Sequence, residues 1–325
     1  MTTGPTDTRP LGRSSLQVPR LGVGTMTWGD PSGLARLTPA KLAYGGADGA
    51  EEESRAFAVS MSEGATLFDT AAMYSNGASE RRLGELSAGT AAVVATKFPP
   101  GPRGTTDDLP DALEASLGRL GRDRVDLYQH HFPSRRVDIR RLMELLADAV
   151  DSGKVSAVGV SNYSAEQMRL AHTALAGRGV PLASNQVQYS LLHRHPETDG
   201  VLDACRELGV TLIAYQPLAS GALTGKYLSG PRPRGLRRFA PYFRRSQSER
   251  VGTVVALLRE IGERHGVGPS QVALGWLMAK DPVLPIPGAK NAAQAASNAL
   301  ALTLDLSVEE VEALDSVTTA WRPGS

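Results

Sequence analysis

Three stretches carry the architecture of this chain: FDTAAMY (Phe68–Tyr74), VVATKF (Val93–Phe98) and VDLYQHHF (Val125–Phe132). Each carries apolar or β-branched residues, the composition of a strand, together with polar side chains able to do chemistry: Asp69 and Tyr74, Lys97, and the pair His130-His131. The same kind of run recurs along the chain. Leu21–Gly24, Thr66–Asp69, Val93–Lys97, Val125–His130, Ala157–Val160, Ser184–Gln188, Thr211–Tyr215 and Val283–Ile286 make eight predicted strands. Helical patterns lie between them. Ile139, Leu142, Met143, Leu146 and Val150 fall at helical spacing, as do Val251, Val254, Val255, Leu258 and Ile261. Ser164–Gln167 and Ser307–Glu310 match the capping box that starts a helix.

Strands that alternate with helices predict a parallel sheet, and closure of that sheet gives an α/β fold of the (β/α)8 TIM barrel class in a single domain. Gly12 and Pro19, set among short apolar positions, predict an N-terminal β-hairpin over residues 8–20 that plugs the barrel bottom. Two long connections, Asp30–Glu52 and Leu218–Arg245, are expected at the C-terminal face, where long loops are usually functional. The expected boundaries are an N-terminal tail over 1–8, the barrel over 9–319 and a C-terminal tail over 320–325. The competing architecture, a doubly wound sheet, calls for a third glycine after Gly22-Val23-Gly24, where Thr27 stands instead.

The bulk numbers exclude several classes. With 325 residues the chain needs no disulfide or metal for its core. Lys+Arg 35 against Asp+Glu 34 leaves a net charge of +1, so nothing demands nucleic acid or an anionic membrane as partner. The one cysteine, Cys205, fits a reducing compartment. The N-terminus MTTGPTDTRP lacks the features of a signal peptide, and no run approaches a membrane span, so the expected location is cytoplasmic.

The strand-end residues suggest a proton-transfer set. A tyrosine has an ordinary pKa of about 10 and needs help to release a proton. A nearby ammonium favours the phenolate and a carboxylate can hold that ammonium in place. Tyr74, Lys97 and Asp69 supply these groups, and His130 or His131 supplies a histidine. Alternation along a strand sends only one of the two histidines into the barrel mouth. Such equipment suits protonation of a carbonyl oxygen while hydride arrives from elsewhere.

Asp69, Tyr74, Lys97 and a histidine, in this order, resemble the aldo-keto reductases. So do LGVGTMTWGD (Leu21–Asp30), YQPLASGALTGKY (Tyr215–Tyr227) and IPGAKN (Ile286–Asn291), which resemble a bacterial or plant-plastid-type branch. The resemblance spans roughly residues 10–315 and selects His131, five residues after Asp126. It implies Asp69, Tyr74, Lys97 and His131 as the catalytic set, with Tyr74 the proton donor and His130 left as a packing residue.

Ser161 and Asn162 end the fifth predicted strand with groups suited to a carboxamide, Gln186 is placed to complete that grip, and Tyr215 is placed to stack on a nicotinamide ring. The resemblance implies that Pro217, Leu218, Gly221 and Lys226 belong to a segment folded over the pyrophosphate. Gly288 and Lys290 lead into a helix, and a helix N-terminus beside a lysine is a ready phosphate site. Similar segments in the family grip the adenosine 2′-phosphate and adenine, at positions matched here by Lys290, Gln294 and Asn298. Ser297 stands where many members carry an acid, and Gln294 where some carry arginine. The expected cofactor is NADPH/NADP, ahead of NADH, and the expected partner is a small-molecule carbonyl substrate. Trp28 and the two long loops are expected to shape the substrate pocket. The alternative function is an NADPH-binding regulatory subunit similar to the potassium-channel β subunits.

Other signals are set aside. Arg232, Arg234, Arg237, Arg238, Arg244 and Arg245, interleaved with Phe239, Tyr242 and Phe243, form a basic loop in a near-neutral protein. His193 and His195 have no evident third metal ligand. Cys205, in VLDACREL, reads as a small core residue.

Overall fold

The alternation of strand and helix closes on itself. In the computed structural model of the chain, which describes residues 7–30, 48–99, 108–228, 230, 233 and 235–322, an antiparallel hairpin of β1 (Thr8–Pro10) and β2 (Gln17–Pro19) precedes an eight-stranded parallel sheet. The sheet runs in chain order through β3 (Gly22–Gly24), β4 (Leu67–Asp69), β5 (Val93–Phe98), β6 (Val125–His130), β7 (Val155–Ser161), β8 (Leu182–Gln188), β9 (Thr211–Tyr215) and β10 (Val283–Pro285). All eight predicted strands are present. Residues 31–47, within the expected first long loop, and Arg232 and Arg234 lie outside the described residues.

The seam between β10 and β3 closes through glycine. The Gly24 amide donates to the Pro287 carbonyl at 2.9 Å, and Gly24 bridges Gly288. A Cβ on Gly22 would sit 2.9 Å from the Ile286 side chain, and one on Gly24 would sit 3.2 Å from the Ile286 carbonyl oxygen. The sheet is therefore a single-domain (β/α)8 barrel rather than a doubly wound sheet.

Alternation along each strand sorts the side chains. Phe68, Val94, Phe98 and Tyr128 face the surrounding helices and join the main apolar core. Leu67, Ala95, Leu127, Ala157, Ile213 and Leu284 point inward and pack with Leu11 and Val18 of the hairpin region. Gly12 allows that plug to seat: its φ is +56°, and a Cβ there would lie 2.5 Å from the Ala183 carbonyl oxygen.

The α-helices among the described residues are α1 (Ala50–Ser62), α2 (Ala78–Ser87), α3 (Leu109–Leu120), α4 (Ile139–Asp151), α5 (Ala165–Ala176), α6 (Val201–Leu208), α7 (Ser248–His265), α8 (Pro269–Met278), α9 (Ala292–Ala299) and α10 (Val308–Val317). Ser164 and Ser307 form the capping boxes expected of them. Leu142, Met143 and Leu146 are the buried face of α4.

Candidate active site

One inward column changes character within two residues. On β4 the inward residue passes from Leu67 to Asp69, on β5 from Ala95 to Lys97, and on β6 from Leu127 to Gln129. Asp69 and Lys97 are both buried and form an ion pair through Oδ1 and Nζ. Nζ also donates to the Thr70 carbonyl at 2.8 Å. The second oxygen of Asp69 accepts from Gln186 Nε2 at 2.8 Å and from Gln129 Nε2 at 3.2 Å. A buried carboxylate requires this degree of satisfaction, because charge removed from water is costly unless paired and hydrogen-bonded.

Tyr74 leans over this pair. Lys97 Nζ lies 4.9 Å from the centroid of its ring. The tyrosine opens a short turn, Tyr74–Gly77, in which Ser75 and Asn76 have φ of 50° and 53°. His131 follows directly on β6, with its amide donating to the Phe98 carbonyl at 2.8 Å. Its ring meets that of Tyr74 edge-on, with centroids 5.8 Å apart. Asp69, Tyr74, Lys97 and His131 are thus brought together at one end of the barrel.

The electrostatics follow from burial. Desolvation raises the Tyr74 phenol above its ordinary value, the Lys97 ammonium pulls it down, and Asp69 pushes it up again. Desolvation works to lower Lys97, but Asp69 and Tyr74 outweigh it and hold the ammonium above its ordinary value. His131 is lowered to about 3 by burial, then by Lys97 and His130. At neutral pH the set therefore holds a protonated tyrosine, a charged lysine and a neutral histidine. Tyr74 can give a proton, and His131 can share a hydrogen bond without carrying charge.

The neighbouring His130 points the other way. It is fully buried, its Nδ1 pairs with the Tyr163 hydroxyl at 2.8 Å, and its ring packs against Phe98. Burial lowers it to about 4.

A second group of predicted residues borders this set. Ser161 donates through Oγ to the Gln186 carbonyl at 2.8 Å. Asn162 sits in the left-handed region at φ 58° and accepts from the Tyr215 hydroxyl at 3.1 Å. Gln186, expected to grip a carboxamide, also donates to Asp69, so it joins the two groups. Pro217, Leu218 and Gly221 follow Tyr215 on a strained segment: Gln216, Ala219 and Ser220 have φ of 52°, 47° and 54°. Lys226 lies just beyond, its Nζ 5.0 Å from the Tyr227 ring centroid. Six non-glycine residues with positive φ occur among the described residues, and all follow β4, β7 or β9 at the same end of the barrel. Such conformations cost energy and concentrate at functional sites.

The third group is arranged around α9. Gln294 Oε1 accepts from the Lys290 amide at 3.0 Å, and Asn298 Nδ2 donates to the Gly288 carbonyl at 3.3 Å. Asn291 caps the helix through the Gln294 amide. Two carboxylates stand at this N-terminus: Asp48 accepts from Asn291 Nδ2 at 2.6 Å and Glu52 from the Ala292 amide at 3.4 Å. Ser297 is engaged by Gln271 Nε2, which reaches its Oγ and carbonyl at 2.6 Å.

Trp28, expected at the substrate pocket, is fully buried beside Phe68 and donates through Nε1 to the Ala289 carbonyl at 2.6 Å. Its indole is a core residue that ties the β3 loop to the segment leading into α9. Gln129 was not singled out by its residue type. Alternation was the available signal, since it places Gln129 inward two residues after Leu127.

A cavity of about 640 Å³ is lined by Gln188, His193, Gln216, Tyr242 and Trp321 among others, and by none of Asp69, Tyr74, Lys97 and His131. A smaller one, sharing Gln188, His193 and His195, reaches Asn162 and Tyr215. The two histidine rings stack 4.5 Å apart, and no cluster of metal-ligating side chains occurs among the described residues. Cys205 is a buried core thiol pushed up to about 12 by burial.

A model of the Aldo/keto reductase family matches residues 20–319. The chain belongs to the aldo/keto reductase family. This aldo/keto reductase is therefore an NAD(P)H-dependent oxidoreductase of carbonyl groups. It is 39% identical over 313 residues to an uncharacterized oxidoreductase of Mycobacterium tuberculosis, covering 95% of this chain and 92% of that one. It is 37% identical over 314 residues to the chloroplastic pyridoxal reductase of Arabidopsis thaliana, covering 91% and 82%. Among solved structures it is similar to an aldo-keto reductase from Klebsiella pneumoniae in complex with NADPH, with a TM-score of 0.72, 26% identity, and 95% and 93% of the chains covered. No described helix is long and apolar enough to cross a membrane.

Proposed function

We propose that this protein reduces an aldehyde or ketone to an alcohol with NADPH, with Tyr74 as the proton donor. The observation that carries the reading is the buried Lys97 ammonium, paired with Asp69 on one side and set against the Tyr74 ring on the other. The Klebsiella relative binds NADPH, and the donor set here fits a nicotinamide dinucleotide. Ser161, Asn162 and Gln186 offer amide and hydroxyl groups beside the Tyr215 ring, the segment from Gln216 to Gly221, left-handed at Gln216, Ala219, Ser220 and Gly221, offers close backbone approach, and the α9 N-terminus offers a place for phosphate. When bound, NADPH supplies the hydride.

The chain's own residues do the rest. Tyr74 and the neutral His131 hold the carbonyl oxygen between them by hydrogen bonds. Tyr74 gives its proton as charge develops on that oxygen. Lys97, fixed by Asp69, stabilises the phenolate left behind. The substrate is a small carbonyl compound; pyridoxal, the substrate in the name of the Arabidopsis relative, is the first to try.

The test is NADPH oxidation by the purified protein over aromatic aldehydes, sugars, pyridoxal and ketones, beside Tyr74→Phe and with NADH as control. Turnover that disappears in Tyr74→Phe while NADPH binding persists is the expected result. Tight NADPH binding with no turnover on any carbonyl would overturn it in favour of a regulatory subunit.

A further inference from the structure

Gln129 stands in a fully buried position where an apolar residue of similar volume would avoid the desolvation of an amide. Its side chain is nonetheless oriented at both ends. Nε2 donates to Asp69 Oδ2 at 3.2 Å, and Oε1 accepts from Ser184 Oγ at 3.4 Å. In the parallel register it lies opposite Lys97 on β5 and Gly159 on β7. Gly159 is what makes room: a Cβ there would lie 2.3 Å from Ser184 Oγ and 2.9 Å from Gln129 Cγ. The other donor to the same carboxylate oxygen, Gln186, is shared with the candidate cofactor cradle, because its carbonyl also accepts from Ser161 Oγ and the Asn162 amide. Gln129 makes no such contact with the cradle.

Resting on the proposed reduction chemistry, we propose that Gln129 is a positioning residue for proton transfer. It holds the Asp69 carboxylate against Lys97 independently of what Gln186 does when the cofactor binds, and Gly159 is the space that permits it. Asp69 acts on both members of the pair that faces the substrate, raising Lys97 and raising Tyr74. A carboxylate that swings away from Lys97 therefore lets the Lys97–Tyr74 pair lose its first proton at lower pH.

The experiment compares Gln129→Met, which keeps the volume and removes the donor, with Gly159→Ala, which displaces Gln129 and Ser184 and alters neither. Both should lower kcat on the order of tenfold, the scale of a lost hydrogen bond to a charged group, with KM and the NADPH dissociation constant within about twofold. Both should also move the alkaline limb of the kcat profile to lower pH. The same shift is read without turnover from the tyrosinate absorbance that Tyr74→Phe removes. A role in packing alone would lower the melting temperature and leave that limb in place, which overturns the proposal. If either variant fails to fold, Ser184→Ala removes the bond that orients Oε1, with a smaller shift in the same direction expected and no shift counting against the idea. A wild-type protein that reduces no carbonyl defeats the proposed function alone, and the tyrosinate titration still decides the role of Gln129.

Discussion

The two ends of this barrel are built from the same strands and obey opposite rules. At the bottom the inward residues are Leu67, Ala95 and Leu127, sealed by Leu11 and Val18. One step up the same strands, they are Asp69, Lys97 and Gln129. The bottom is stabilised by apolar burial. The top buries an ion pair and strained backbone at Ser75, Asn76, Asn162 and Gln216, features that cost stability and are retained where they do something else. The difference implies that stability and chemistry are separable along the barrel axis, and substitutions at each end put that to the test.

The largest effect is expected at the top. Tyr74→Phe should reduce kcat by roughly 10²–10⁴-fold, the usual contribution of a general acid, and leave the melting temperature close to wild type. A large fall in thermal stability with normal turnover would reverse the roles of the two ends.

Leu11→Ala is the counterpart at the bottom. Truncating a fully buried leucine typically costs about 2–5 kcal/mol, so chemical denaturation should show a clear loss of stability, with kcat per folded molecule unchanged. Loss of turnover in the folded variant would mean that the plug and the site are coupled.

Acid should expose an effect of intermediate size. His130 is held near 4, below the ordinary value of about 6.5. The unfolded chain therefore binds its proton first as pH falls, so this histidine's share of stability is complete above about 6.5 and is lost towards 4. From pH 7 to 5 the loss is about 2 kcal/mol, visible in melts and reduced in His130→Gln. His131 titrates near 3, so the reduction rate should show no inflection in the ordinary histidine range. An inflection there would contradict a neutral His131.

The smallest effect is at α9. Asp48 places a carboxylate beside the helix N-terminus, where the 2′-phosphate of NADPH is proposed to sit. Charges at such termini are worth about 0.3–1 kcal/mol, so Asp48→Asn should tighten NADPH by roughly two- to fivefold and leave NADH unchanged. Equal effects on both cofactors would move the phosphate elsewhere.

Short-range pattern carried much of this. Strand composition, alternation and helical spacing located all eight barrel strands, and the capping serines marked two helix starts where they are found. The resemblance, once the residues Asp69, Tyr74, Lys97 and His131 suggested it, chose between two adjacent histidines, and alternation explains why His130 faces Tyr163 instead. Trp28 could not be placed in this way. Its burial depends on the Ala289 carbonyl, 261 residues away, and nothing near it in the chain encodes that meeting.

What the amino-acid order determined is therefore local: where strands run, which way their side chains alternate, and which strand ends carry ionisable groups. Tertiary structure decided which of those groups share a hydrogen bond. Gln186 reaches Asp69 across 117 residues and Gln129 reaches it across 60, while Asp48 meets Asn291 across 243. Periodicity is set by neighbours within a turn or a pleat. The partners of a buried charge are set by strand register and barrel closure, which arise only when the whole sheet has formed.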